Sequence, residues 1–187
     1  MTAEERIFSI VRGGLYAKLP SLALPLGRLT CREGDVDPAG TDGEAAVFAP
    51  GLLRREFLAE SDLPERLTLH LLLHLMLGHP WGRQGRARAL WDTACDLAVG
   101  LVRHALLPQE PETPAAFSAR CKLQARRAVR APAIYALLLE QPDALTAEEQ
   151  AAFYLDDHRL WQFSASASAP KTADGGAETG WQALGRK

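Results

Sequence analysis

Three histidines lie close together in the run LHLLLHLMLGH. His70 and His74 are four positions apart, so on a helix their imidazoles project from one face, one turn apart. Two imidazoles placed this way can bind one tetrahedral metal ion, as in HExxH proteins. His79 can join them only if the helix ends first, and Gly78 readily adopts the left-handed conformation that reverses a chain. The spacing favours a zinc site at these three histidines, and the competing interpretation is that they simply pack in a core.

A second polar group follows in the run WDTACDLAVG. Asp92 and Asp96 are again four positions apart on a predicted helix. Asp96 is a candidate fourth ligand, or a carboxylate that fixes the tautomer of a ligand histidine through its other ring nitrogen. Asp92 is a candidate for such indirect support, and a solvated acid near a helix start is the alternative. Cys95 is better explained as a small buried hydrophobe than as a ligand.

A third polar group is the run DDHRLW near residue 160. Asp157 and His158 could approach the histidine helix and support a metal site from outside the ligand set. A polar cluster on the surface at the end of a helix explains the same residues equally well. The choice between these two interpretations stays open at the level of the sequence.

The elements that must position these residues are mostly helical, because apolar residues recur at helical spacing along most of the chain. A loop rich in Gly, Asp and Pro is predicted over 34–44, between two short strands that would form a β-hairpin or small sheet. The fold class is therefore α+β, mostly helical, with a small N-terminal sheet. The predicted strands are 26–32 and 45–48, and the predicted helices are 3–17, 51–59, 62–78, 86–107, 114–130, 132–139 and 146–154. Residues 109–114 are a predicted linker. Capping boxes are predicted at the start of two helices, from Ser61 and Asp62 with Glu65 and from Thr146 with Glu149.

Composition limits the classes of protein that remain possible. The 187 residues include 21 Lys and Arg and 23 Asp and Glu, a net charge of −2, which argues against a dedicated nucleic-acid-binding protein. A basic stripe at Lys122, Arg126 and Arg130 could meet phosphates, but a solvated helix face is the simpler explanation. Three cysteines without CxxC spacing do not suggest a disulfide framework. With no targeting or membrane segment apparent, a cytoplasmic protein that is not bound to membranes is expected.

Four motifs, taken in order, resemble a known family. They are TDGEAAVFAP, LHLLLHLMLGH, WDTACDLAVG and DDHRLW. Together they resemble the zincin-like metallopeptidase domain found N-terminal to VWA-like domains in bacterial proteins. The resemblance covers about residues 1–163, which we predict to be one domain, and leaves 164–187 as a flexible low-complexity tail. It implies a zincin-like pair of helices at 62–78 and 86–107.

The resemblance also implies roles for individual residues. It equates the presumed zinc ligands of the family with His70, His74 and His79. The aspartate of the family's second helix matches Asp96, and its D-x-H pair matches Asp156 and His158. By the same resemblance, the expected partner is a VWA-like protein or an AAA+ ATPase of the MoxR type.

One position departs from the family pattern. The glutamate of HExxH, which serves zincins as the general base, is replaced here by Leu71. Loss of a general base typically lowers a rate by about 10²–10⁴-fold. The sequence therefore predicts a zinc-binding pseudo-enzyme or binding module, with no catalytic residue assigned. The alternatives are an active metal-dependent hydrolase that uses Asp96, Asp157 or a substrate group as base, and a metal-free helical interaction domain.

Overall fold

A computed structural model describes residues 2–107, 113–121 and 130–161. These residues divide into two compact units. The first unit comprises the described residues up to 82 together with 156–161, and the second comprises those from 83 to 155. Outside the described residues lie 109–112 of the predicted linker, 122–129 of the predicted 114–130 helix, most of the basic stripe and the predicted tail at 164–187. The end of the predicted 109–114 linker is wrong, because a helix begins at Thr113.

The first unit contains four helices and one three-stranded sheet, which confirms the predicted α+β class with a small N-terminal sheet. The first helix begins with a capping box in which Thr2 and Glu5 bond reciprocally to each other's backbone N–H groups. Short 3₁₀ turns follow or join the main elements at Pro20–Leu22, His79–Trp81 and His158–Leu160. The main elements are α1 (Ala3–Lys18), α2 (Ala23–Arg28), β1 (Thr30–Glu33), β2 (Ala39–Thr41), β3 (Ala45–Phe48), α3 (Leu52–Leu58) and α4 (Leu63–Met76).

Helix α4 forms the centre of the first unit. All side chains from Leu67 to Leu75 are buried, as expected for a helix that is apolar on every face. It packs against α1, α2 and α3 and against strands β2 and β3. The predicted stop is confirmed, because the helix ends at Met76 and Gly78 adopts a left-handed conformation with φ of 71°. The polar side chains within this buried stretch, Thr68, His70 and His74, are therefore held inside the core.

The start of α4 differs from the predicted capping box. Asp62 makes no side-chain cap, and the hydroxyl of Ser61 accepts a hydrogen bond from the N–H of Leu63 at 3.1 Å. The carboxylate of Glu65 pairs with Lys18 of α1 instead of reaching back to the helix start. A tertiary ion pair has thus taken the side chain that the local motif would use.

The sheet has the order β1-β3-β2. The central strand β3 is buried throughout and runs parallel to β1 and antiparallel to β2. The prediction of a strand over 26–32 is wrong in part, because α2 extends to Arg28 and the strand begins at Thr30. Pro25 is compatible with this helix because it lies in the first turn, where its N–H would have no helical acceptor.

The predicted loop at 34–44 is also wrong in part, because it contains β2. Ala39–Thr41 is too short and too small in side chains to show an apolar alternation. The hairpin joins β2 to β3, and its turn is fixed by Asp42. The Oδ1 atom of Asp42 accepts hydrogen bonds from the N–H groups of Glu44 and Ala45, both at 2.9 Å. The TDG motif is therefore the turn of this hairpin.

The second unit is entirely helical in its described residues. Helix α5 packs against the other three helices, and the rings of Phe117 and Phe153 meet edge to face at 5.9 Å. Gly100 allows this packing, because a Cβ atom there would lie 2.5 Å from the Phe153 ring. The predicted capping box of Thr146 and Glu149 is confirmed. The four helices are α5 (Arg88–Leu106), α6 (Thr113–Arg120), α7 (Ala131–Glu140) and α8 (Ala147–Phe153).

A membrane-spanning segment would need about 20 apolar residues in one helix. None of the helices in the described parts of the chain combines that length with that degree of hydrophobicity.

Candidate metal site

The site begins with the two histidines of α4. His70 and His74 are both fully buried, and their Nε2 atoms lie 2.9 Å apart. Their ring centroids are separated by 4.6 Å, as the four-residue spacing on one helical face predicts. Two imidazole nitrogens therefore converge at one point inside the first unit.

The segment 156–161 brings a carboxylate and a further imidazole to the same point. The Oδ1 atom of Asp156 lies 2.9 Å from Nε2 of His70, 3.0 Å from Nε2 of His158 and 3.8 Å from Nε2 of His74. Asp156 is fully buried, and its Oδ2 atom has no hydrogen-bond partner among the described residues. Three ring nitrogens thus surround one carboxylate oxygen, and the other oxygen of that carboxylate remains available for a ligand.

Strand β2 holds this segment in place. The N–H of Asp157 donates to the carbonyl of Ala39 at 2.7 Å, and Asp157 forms a parallel β-bridge with Gly40. A Cβ atom at Gly40 would lie 2.5 Å from the carbonyl oxygen of Asp157, so only glycine permits this approach. The position of Asp156 therefore depends on a backbone contact with the sheet.

The side chain of Asp157 stabilises the turn that follows. Its carboxylate accepts hydrogen bonds from the N–H of Arg159 at 2.8 Å and from Nε of Arg159 at 2.6 Å. The guanidinium of Arg159 also donates to the carbonyl of Asp35 at 3.3 Å. Asp157 thus caps the His158–Leu160 turn, and its carboxylate is directed at Arg159.

His79 lies on the other side of His74. Its Nδ1 atom is 3.0 Å from Nδ1 of His74, whereas Nε2 of His74 faces His70. The left-handed Gly78 allows this return of the chain, and His79 is buried. The structure therefore brings all three predicted histidines together, with His79 meeting the ring nitrogen of His74 that points away from Asp156.

The two other predicted acids belong to the second unit. Asp96 is buried on α5, and Asp92 forms an ion pair with Arg88 in which Nε and Oδ2 lie 3.5 Å apart. A role for Asp96 as a ligand, and for Asp92 as a supporting acid, stays a prediction from the sequence.

The charge of Asp156 is stabilised by its neighbours. Burial alone would raise the pKa of this carboxyl, but the positive charge available to His158, His74 and His70 and a hydrogen bond from His158 hold its pKa well below the usual range. The carboxylate is therefore ionised at neutral pH although water does not reach it. A metal cation could replace the positive charge of these imidazoles, because an ionised carboxylate and unprotonated imidazole nitrogens are ligands that a metal such as zinc accepts.

The number of N–H protons available in the cluster supports a metal at this point. A neutral imidazole carries one N–H, so Nε2 of His70 cannot donate fully to both Asp156 and His74, although it lies 2.9 Å from each. Two ligands of a tetrahedral zinc ion are separated by about 3.3 Å, given bonds of about 2.0–2.1 Å. The metal-ligating atoms of His70, His74 and Asp156 all lie within 4.8 Å of one another. The residues present therefore fit a metal ion.

Several of these contributors were hard to recognise from the sequence. The sequence indicates Asp156 only through the D-x-H pair of the resembling family, and the predicted ligands do not include it. The predicted site also lacks Gly40 and Trp161, although the ring of Trp161 stacks on His158 with centroids 3.8 Å apart. The available signal was the spacing of Asp156, His158 and Trp161 in one short run.

The description of one matching family agrees with a metal site in this chain. Searches of the curated proteins and of the solved structures return no significant match. A family model described as "Putative metallopeptidase domain" matches residues 13–179, which is most of the chain. The chain therefore belongs to this metallopeptidase-domain family, and it carries a candidate metal-binding group at His70, His74 and Asp156.

Proposed function

We propose that this protein is a zinc-binding, zincin-like domain that lacks the catalytic glutamate and acts as a binding module or pseudo-enzyme. The observation that carries the proposal is the buried cluster in which His70, His74 and Asp156 converge. A buried carboxylate is costly to fold unless both of its oxygens are paired, and Oδ2 of Asp156 has no hydrogen-bond partner among the described residues, so the cluster indicates a ligand. A bound metal would supply the charge that pairs them.

The chemistry of the donors favours zinc. Imidazole nitrogen and carboxylate oxygen are both common zinc ligands, whereas Mg²⁺ and Ca²⁺ prefer oxygen alone. Copper, nickel and iron also accept imidazole, so analysis of the bound metal is part of the test.

The surroundings of Leu71 and Asp157 support a binding role. Leu71, which occupies the position of the zincin glutamate, is fully buried in the core of the first unit. The carboxylate of Asp157, another candidate base, is already bonded by the backbone and guanidinium of Arg159. A zinc ion would still polarise a bound carbonyl or water. Neither Leu71 nor Asp157, however, offers a free carboxylate that could accept the proton of a zinc-bound water.

An interaction with a larger assembly follows from the same resemblance. We propose a protein partner, either a VWA-like protein or a MoxR-type AAA+ ATPase. Co-purification of the zinc-loaded chain with such a protein from the same genome would support this proposal. Loss of the complex after zinc removal would show that the metal site shapes the binding surface.

Turnover by the zinc-loaded chain tests the pseudo-enzyme proposal. We expect no cleavage of casein or of a mixed peptide library by the wild type, and weak cleavage after Leu71→Glu restores the HExxH pattern. Leu69→Glu is the matched control, because it buries the same charge on α4 outside that pattern, and circular dichroism would check the fold of both variants. Hydrolysis by the wild type that disappears in His74→Ala would contradict the proposal and indicate an enzyme with another base.

A further inference from the structure

We propose that His158 is a ligand of the metal and that His79 positions the ligand His74, which exchanges the roles that the sequence pattern assigns to them. This inference rests on the proposed zinc-binding function. The proposed ligands are then His70, His74, Asp156 and His158, which all belong to the first unit. Its basis is which ring nitrogen each histidine presents to its neighbours.

His158 presents its Nε2 atom to the cluster. This atom lies 3.0 Å from Oδ1 of Asp156, the same oxygen that lies 2.9 Å from Nε2 of His70. These separations are close to the distance of about 3.3 Å expected between two ligands of one tetrahedral zinc ion. His158 therefore lies as near to Oδ1 of Asp156 as His70 does.

The ring of His158 is also held firmly. It stacks on Trp161 with an interplanar angle of 18° and a centroid distance of 3.8 Å, and His158 is only 6% exposed. The backbone at His158 is held by the preceding Asp157, whose N–H bonds to β2 and whose side chain caps the turn. A preorganised ring costs little entropy on binding a metal.

His79 meets His74 from the opposite direction. The contact is between the two Nδ1 atoms, 3.0 Å apart, while Nε2 of His74 faces His70. A histidine that binds metal through Nε2 carries its proton on Nδ1 and usually donates it to a neighbouring acceptor. A neutral His79 with its proton on Nε2 offers that acceptor at Nδ1. His79 is therefore suited to fix the tautomer and ring orientation of His74.

With these ligands, a bound metal would also have a structural role. His70 and His74 belong to α4, whereas Asp156 and His158 belong to the segment 156–161. A metal bound by all four would fasten that segment to the central helix of the first unit. The segment should therefore become protected from proteolysis when zinc is added.

Zinc affinity of single variants tests the exchange of roles. The affinities of wild type, His158→Ala and His79→Ala would be measured by competition with a chromophoric chelator, with folding checked by circular dichroism. We expect His158→Ala to weaken zinc binding by about 100-fold or more, because a ligand is lost. His79→Ala should weaken it by about 10-fold to 100-fold, as for partners of ligand histidines, and His79→Asn should restore part of the loss because its amide oxygen can accept the same hydrogen bond.

The absorption spectrum of bound Co²⁺ separates a ligand from a positioning residue. Substitution of His79 should leave the band positions of the wild-type spectrum in place, whereas His158→Ala should shift them. An unchanged zinc affinity together with an unchanged Co²⁺ spectrum in His158→Ala would overturn the inference. His70→Ala distinguishes the two levels of the argument: if it loses zinc while His158→Ala retains full affinity, only the exchange of roles fails. If the wild type itself takes up no zinc, the proposed function fails with it.

Discussion

The cluster is assembled from two segments of very different character. His70 and His74 lie on α4, a regular helix that is buried on every side for nine consecutive residues. Asp156 and His158 lie in a short irregular segment that ends in a single 3₁₀ turn. The segment is held by a backbone bond to Ala39, by the cap that Asp157 provides and by the stack of His158 on Trp161.

This difference separates two ways of positioning a functional group. On α4 the geometry of the helix alone sets the distance between the two rings, and the core holds the helix in place. In the second segment each side chain depends on a particular tertiary contact. Substitutions in α4 should therefore remove the site directly, whereas substitutions around the segment should loosen it by degrees.

The largest effect is expected from the α4 histidines. His70→Ala and His74→Ala should abolish stoichiometric zinc binding, because each removes a candidate ligand. Zinc at 100 times its dissociation constant would stabilise the wild type by about 2.7 kcal/mol, so a chelator should lower the Tm of the wild type and leave that of either variant unchanged. His104→Ala, a histidine substitution in the second unit, is the control. Equal zinc content and chelator response in all four proteins would remove α4 from the site.

A smaller effect is expected where the second segment meets the sheet. Gly40→Ala places a Cβ atom 2.5 Å from the backbone oxygen of Asp157, which cannot move away as a flexible side chain could. We expect a destabilisation of about 1–3 kcal/mol, typical of overpacking, together with weaker zinc binding.

Urea denaturation and zinc titration would measure both effects of Gly40→Ala. Gly13→Ala is the matched control, because Gly13 lies within α1 with open space at its Cβ position. That variant should be more stable by about 0.5–1 kcal/mol and should bind zinc normally. Normal zinc affinity in Gly40→Ala would show that the contact with β2 does not position Asp156.

Removal of the cap should act more weakly. Asp157→Ala deletes the acceptor of the Arg159 N–H and should destabilise the protein by about 1 kcal/mol, as for other lost caps. Zinc affinity should fall by less than in Gly40→Ala, because the backbone bond to β2 remains. Asp157→Asn keeps an acceptor for the backbone N–H, so its stability in urea should lie between those of Asp157→Ala and the wild type. If Asp157→Ala lost zinc binding completely, its carboxylate would have a direct role at the metal.

The smallest effect concerns the hairpin that carries β2, and it depends on pH. Burial raises the pKa of Asp42, but hydrogen bonds from the N–H groups of Ala45 and Glu44 and from Arg32 outweigh it and lower that pKa below its ordinary value. The folded state therefore binds this proton less readily than the unfolded state, in which the pKa is about 3.9. The contribution of ionised Asp42 to the free energy of unfolding is fully present well above pH 4, and it is lost as the pH falls through the lowered pKa.

Asp42→Ala should accordingly cost about 1 kcal/mol at pH 7 and less at pH 3, measured by urea denaturation. Asp42→Asn retains an acceptor that does not titrate, and it should show a smaller loss at pH 7. A stability difference between wild type and Asp42→Ala that grows as the pH falls would contradict the sign of this argument.

The sequence was informative where local rules decide the structure. The spacing of His70 and His74, the left-handed Gly78 and the capping box at Thr146 all follow from interactions within a few residues, and the structure has each of them. The α+β class and the family were also recognisable, because several motifs occur in a fixed order.

The remaining features depend on contacts that sequence patterns do not encode. Strand β2 forms because its three small residues pair with β3, and Gly40 matters because a segment more than 100 positions later packs against it. The convergence of Asp156 with His70 spans 86 positions and has no local signature. Asp156 could be identified from the sequence only through the family's D-x-H pair.

The most direct test of the central claim is the metal content of the chain purified without a histidine tag and without added metal. We predict about one zinc ion per chain by inductively coupled plasma mass spectrometry, lost in His70→Ala and retained in His104→Ala. A correctly folded wild-type protein that contains no transition metal and takes up none from added zinc would contradict the account.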